Sequence, residues 1–162
     1  MRYHFFSHGG ASPHGLRGAV GALAFTVVLY GAPSVAIWRV SELMAEYDLP
    51  AEVEVLDGGV MGLDLLSRLE GVTALLIVDA VRAGLPPGTP IRLAGDAIPT
   101  ALTQKMSMHQ AGLQDLLAVS AFRGTLPRRV VLYGLEPEII SWGNELSPNI
   151  APQIDKLVDS VV

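Results

Sequence analysis

Asp57 in VLDGG, Asp79 in LLIVDA and His109 in KMSMHQ are the side chains whose settings suggest chemistry. The two aspartates stand at the ends of strand-like segments, and His109 sits just ahead of an amphipathic run. Asp79 carries the sharpest signal: an ionised carboxylate following Leu75, Leu76, Ile77 and Val78 is costly to bury unless it meets a cation, a metal or hydrogen-bond donors. A structural use competes with this, in which Asp79 caps the next segment or pairs with Arg82. Asp57 precedes Gly58 and Gly59, and an aspartate in that place commonly just organises a turn. His109 has its own plain alternative, a solvated or hydrogen-bonded histidine near a helix start. An aspartate and a histidine offer oxygen and imidazole donors suited to zinc or nickel, but two ligands do not close a site.

Composition narrows the field. The sequence of 162 residues has no cysteine, which removes a cysteine-zinc site, a thiol nucleophile and a cysteine-ligated cluster, and which fits a reducing cytoplasm. A formal charge of -5, with no basic cluster larger than Pro127-Arg128-Arg129, argues against a nucleic-acid partner. The apolar run from Ala19 to Ala32 falls short of the ~20 residues that span a bilayer, so no stable membrane insertion is expected.

The elements that must position these side chains follow from periodicity. AFTVVLYG reads as a buried first strand, and SVAIWRVSELMAEY as a helix with Val35, Ile37, Trp38, Val40, Leu43 and Met44 along one stripe and Ser34 as N-cap. AEVEVLDGG alternates as a strand does. MGLDLLSRLEG returns to helical spacing with Leu63, Leu66 and Leu69 inward and Gly71 as the stop. VTALLIVDAV is a continuous apolar run, the mark of a strand covered on both faces. A short strand from Pro90 to Leu93 follows. HQAGLQDLLAVSAF is a helix with Leu113, Leu116, Leu117 and Phe122 as its core side, and RRVVLYGLEP is the last strand. SPNIAPQIDKLVDSVV closes as a helix with Ser147 as N-cap and Pro148 at the first helical position. Strands alternating with helices predict a three-layer α/β sandwich: a mostly parallel twisted sheet of about five strands with helices on both faces. Residues 1–18 read as a poorly ordered extension and 19–162 as one domain.

The blocks VEVLDGGVMGLDLL, LLIVDAVRAGLPPGT, KMSMHQAGLQDLL and VVLYGLEPEIISWGNELSP, in this order, resemble the hydrogenase maturation proteases, endopeptidases that trim the large subunit of nickel-iron hydrogenases. The likeness is nearest to the branch serving membrane-bound uptake hydrogenases and covers most of the chain after residue 34. It implies that Asp79 and His109 are metal-binding residues that sense nickel carried by the substrate precursor, and that Asp57 belongs to a turn implicated in activity. Gly58 and Gly59 would let the backbone approach the substrate tail. No organic cofactor is implied. The implied partner is the large-subunit precursor, and the implied location is the cytoplasm.

The resemblance breaks at its first position. Family members carry an acidic pair ahead of the first helix, and counting back from that helix puts Ala32 and Pro33 there. Neither can bind a metal. An altered reading frame or misassigned start upstream of Ser34 accounts for the break, and so does a divergent relative that has lost the first ligand. No HExxH helix and no serine-histidine-aspartate arrangement offers an ordinary protease mechanism instead. The expected function is removal of a C-terminal peptide from the precursor after nickel insertion, impaired by the lost carboxylate. The alternative is a non-catalytic protein that binds the large subunit or nickel.

Overall fold

The structure, a computed structural model, describes residues 25–30, 34–59, 61–98, 108–138 and 146–161. Their strands are β1 (Phe25–Tyr30), β2 (Val53–Gly59), β3 (Ala74–Ala80), β4 (Pro90–Ala94) and β5 (Arg129–Leu135). Their helices are α1 (Ser34–Ala45), a 3₁₀ helix (Gly62–Leu69), α2 (Met108–Phe122) and α3 (Ala151–Val161). The strands form one five-stranded sheet in the order β2-β1-β3-β5-β4. All neighbours run parallel except β4, which lies antiparallel to β5 at one edge.

Side-chain alternation divides the core between the two faces of that sheet. Leu75 and Ile77 of β3 and Leu132 of β5 pack with Leu65 and Leu69 of the 3₁₀ helix and with Leu113, Leu116 and Leu117 of α2. On the other face, Leu76, Val78, Tyr133 and Leu135 pack with Val40 and Met44 of α1 and with Ile154, Leu157 and Val158 of α3. This is the three-layer sandwich expected from the sequence. From Ala74 to Val78, β3 is wholly apolar because β1 and β5 flank it while helices cover both of its faces. Each leucine or isoleucine buried there stabilises the fold by about 1.5–3 kcal/mol relative to exposure.

Several local expectations need correction. Phe122 is not on the core side of α2 but 93% exposed. Nine residues at 3.6 per turn rotate it about 180° from Leu113, so the buried stripe runs instead through Leu113, Leu116, Leu117 and Ser120. Leu63 is likewise exposed, and Leu65 takes the inward place. Gly62, with φ of +50°, lies against Gly112 of α2, and that contact sets the rotation of the 3₁₀ helix so that Gly62, Leu65 and Leu69 face inward. Val55 is exposed because β2 is an edge strand. Ser147 is not the N-cap: α3 begins at Ala151, Pro148 lies in the turn before it, and the buried Ser147 hydroxyl makes no hydrogen bond among the described residues. The Ser147 carbonyl accepts instead, from the amides of Ile150 and Ala151. The expected extension at 1–18 and the Ala32-Pro33 pair lie outside the described residues, as do the side chains of Ser34 and His109.

Candidate functional site

Parallel strands on both sides of β1 create a switch point, because the connection from β1 leads outward to β2 while β3 returns to its other side. In open α/β sheets, ligands bind outside the carboxyl ends of the strands at such a point. Asp57 lies near the carboxyl end of β2, and Asp79 near that of β3. Asp57 pairs in register with Leu29, and Leu29 pairs with Val78, so the two aspartates flank β1 within one residue of the same level. Two strand spacings separate their backbones by roughly 10 Å.

The two carboxylates do not share a face. Val53 packs on the α1 side and Leu56 on the α2 side, so alternation along β2 sends Asp57 toward α1. Leu75 and Ile77 pack on the α2 side, and alternation sends Asp79 there too. Such an arrangement rules out a dyad of aspartates sharing one proton, which needs the carboxylates about 3 Å apart. Asp57 and Asp79 therefore lie on opposite faces of the sheet near its carboxyl edge.

Their environments differ as well. Asp57 is exposed, and Asp79 is 8% exposed. Asp79 Oδ1 accepts a 2.7 Å hydrogen bond from the Ala80 amide, while Oδ2 is buried with no hydrogen-bond partner among the described residues. The pairing with Arg82 considered from the sequence is absent from the described residues, and Arg82 is exposed. Burial pushes the Asp79 carboxyl well above the usual carboxylate range, and the Ala80 amide offsets this only in part. A buried oxygen without a donor is an acceptor waiting for a cation or a proton.

His109 sits in the first turn of α2. Gly112 of α2 lies against Gly62, just past the carboxyl end of β2, and α2 ends shortly before β5 begins at the amino edge, so α2 runs antiparallel to β3 and β5 and starts at the carboxyl edge. Its entry is held by the turn that follows Asp57. A Cβ on Gly62 would lie 3.3 Å from Gly112 Cα, and Gly112 is about 4.5 Å along the helix axis from His109. Gly58 is buried at the end of β2. Asp57, Gly58, Gly59, Asp79 and the first turn of α2 thus gather at one sheet edge. No group of three or more histidine, aspartate or glutamate side chains that could hold a metal occurs among the described residues, where the His109 side chain is not included.

Glu136 is a residue the sequence reading passed over. It is 6% exposed, and Oε2 accepts hydrogen bonds from the amides of Ala83 at 2.6 Å and Leu85 at 3.1 Å, in the loop that leaves Asp79. The signal was available, since GLEP puts a carboxylate directly after an apolar strand just as IVDA does.

Fold and site together define a three-layer α/β protein with an acidic site at the switch point beside β1. The sequence pattern of the family described as hydrogenase maturation protease (HycI) matches residues 37–162. A hydrogenase expression/formation protein, HupD of Rhodobacter capsulatus, is 42% identical over 127 residues, covering 76% of this chain and 60% of that protein. The hydrogenase 2 maturation protease of Escherichia coli is 32% identical over 136 residues, 83% of each chain. The solved hydrogenase maturating endopeptidase HybD of Escherichia coli superposes with a TM-score of 0.79 at 30% identity, over 86% of this chain and 90% of that one. The chain belongs to the hydrogenase maturation protease family. It spans about three-fifths of the length of HupD from Rhodobacter capsulatus and from Thiocapsa roseopersicina, at 60% and 61%.

Proposed function

We propose that this chain is an endopeptidase that removes a C-terminal peptide from the nickel-iron hydrogenase large-subunit precursor after nickel insertion. The observation that carries this reading is the buried Oδ2 of Asp79 at the carboxyl edge, which has no hydrogen-bond partner among the described residues, in a chain of this family. A carboxylate oxygen and the His109 imidazole are donors that nickel accepts, and here the nickel arrives with the substrate. Asp79 and His109 recognise it, and Gly58 and Gly59 leave room for the extended tail. Recognition of the metal fixes where the scissile bond lies, which supplies the orientation that a hydrolysis needs.

Asp57, exposed and on the opposite side of the sheet edge from Asp79, is free of that ligand duty. It takes a proton from water as the oxygen adds to the scissile carbonyl carbon. It then returns the proton to the nitrogen as the C–N bond breaks, leaving a new carboxyl end and a free amine. The chain works in the cytoplasm, and with no cysteine to pair it needs no oxidising compartment to fold. No helix among the described residues is long and apolar enough to cross a membrane.

A second reading has its own observation. Ala32 and Pro33 stand where the resemblance calls for an acidic pair, so the chain recognises the precursor while cutting it slowly or not at all. Nickel-loaded and nickel-free precursors incubated with the purified chain separate these readings. Release of the C-terminal peptide from the nickel-loaded form alone, seen by mass spectrometry, supports the endopeptidase. A stable complex with uncut precursor supports the binding protein, and neither event rejects both.

A further inference from the structure

The loop between Val81 and Thr89 carries the chain away from Asp79, and the end of β5 grips it along its length. Val81 donates its amide to the Leu135 carbonyl at 2.9 Å. Glu136 gives an amide to the Thr89 carbonyl at 2.9 Å and accepts one from Gly88 at 2.8 Å on its own carbonyl. Between these backbone bonds, Ala83 and Leu85 both donate to the Glu136 Oε2. The far end is confined too, since a Cβ on Gly88 would come within 3.1 Å of Gln153 Cγ and 3.2 Å of the Asn149 carbonyl oxygen. A loop lined with glycine and proline has little of its own to hold a shape. Its central amides need an acceptor from elsewhere, and a buried amide without one is costly.

We infer that Glu136 is a positioning residue: its side chain clamps the 81–89 loop and thereby holds Asp79 where the precursor must present its metal. This rests on the proposed function for its consequence, although not for the clamp itself. Among the described residues one oxygen, Oε2, accepts both amides, so the requirement is reach rather than charge. Glutamine supplies an acceptor at the same distance. Aspartate keeps the charge but is shorter by one C–C bond, about 1.5 Å, which takes both contacts beyond hydrogen-bonding range.

The experiment compares the unmodified chain with Glu136→Gln and Glu136→Asp by cleavage kinetics on nickel-loaded precursor and by amide exchange at Ala80, Ala83 and Leu85. Glu136→Gln keeps kcat/KM within about threefold and keeps all three amides protected. Glu136→Asp exposes the three amides and loses about 10- to 100-fold in kcat/KM through a raised KM, the range typical of residues that support a ligand without touching the metal. The reverse order, with aspartate active and glutamine impaired, overturns the inference by showing that charge is what matters. Glu136→Asp with a protected Ala80 amide also overturns it, as does normal KM with the amides exposed. Should Glu136→Asp fail to fold, Glu136→Gln decides: loss of cleavage with Ala83 and Leu85 protected overturns the inference, and retained cleavage supports it. If the unmodified chain cuts nothing, the proposed function fails, while the exchange at Ala80 still decides whether Glu136 holds Asp79.

Discussion

Asp79 and Gly134 face each other across β3 and β5, and a Cβ built on Gly134 would stand 2.6 Å from the Asp79 carbonyl oxygen and 2.6 Å from Val81 Cγ2. The glycine is required by that close approach, since any side chain there must push the strand end aside. Gly134→Ala is expected to destabilise the fold by about 1–3 kcal/mol, the usual range for overpacking. Urea denaturation measures it, and an unchanged midpoint would show that β3 has room to yield.

Burial of Asp79 predicts a particular pH dependence. Its carboxyl has a raised pKa in the folded chain, so between the usual value of 3.8 and that raised value the folded state binds more protons than the unfolded one. The Asp79 contribution to stability therefore falls as pH rises through this window, and below it the penalty for burying charge is absent. Asp79→Asn, which cannot ionise, is expected to lack this decline. The difference between the two stability curves, measured by urea denaturation from acid to neutral pH, would be flat if the carboxyl were solvated in the folded chain.

The layer architecture was legible because its signals are long: VTALLIVDAV has the continuous apolar run of a strand covered on both faces, and the alternation of strands and helices points to a mostly parallel sheet. What failed was local. Phe122 is apolar and helical, yet its rotation about the axis turns it to water. Ser147 and Pro148 form a recognisable helix start, yet a turn intervenes before Ala151. Leu63 lost its place to Leu65 because the orientation of that short helix is set by Gly62 against Gly112, a contact between segments distant in sequence. Asp57 and Asp79 became candidates by their place at the ends of strands. Glu136 had the same signal, but its meaning depends on amides in a different loop.

The Gly62 contact links the turn after Asp57 to the helix that carries His109, and it yields a further prediction. Gly62→Ala places a side chain at φ of +50° and 3.3 Å from Gly112 Cα. The left-handed backbone alone costs about 1–2 kcal/mol for an L residue. Thermal melting should register at least that loss, and precursor cleavage should fall further than stability does, because α2 shifts relative to β3. Equal activity in a destabilised variant would separate this contact from the site.

Asp57→Asn tests the division of labour between the two carboxylates. The amide keeps the size of the side chain and cannot take a proton from water, so cleavage should drop by about 10²- to 10⁴-fold, the range for general acid–base catalysis. Binding of the nickel-loaded precursor should stay near normal, since the proposed function gives ligand duty to Asp79 and His109. A variant that cuts at the original rate removes Asp57 from the chemistry.

The missing acidic pair offers the most direct comparison. If Asp79 and His109 are two of three groups that recognise the precursor's nickel, the third should come from the residues just ahead of α1, where Ala32 and Pro33 stand. Glu42 does not substitute for it, because it lies about two helical turns further along α1 and forms an ion pair with Arg39 at 3.6 Å. Introducing Ala32→Asp and Pro33→Glu together should therefore raise the rate of precursor cleavage at least about tenfold, since even residues that only support a metal ligand change affinity by 10- to 100-fold. The gain should vanish with nickel-free precursor and in an Asp79→Asn background, because a third ligand strengthens a site only when the other two are present. Equal cleavage by the original and the doubly substituted chain would mean that Asp79 and His109 suffice, or that the precursor's nickel is held by its own ligands and merely inspected.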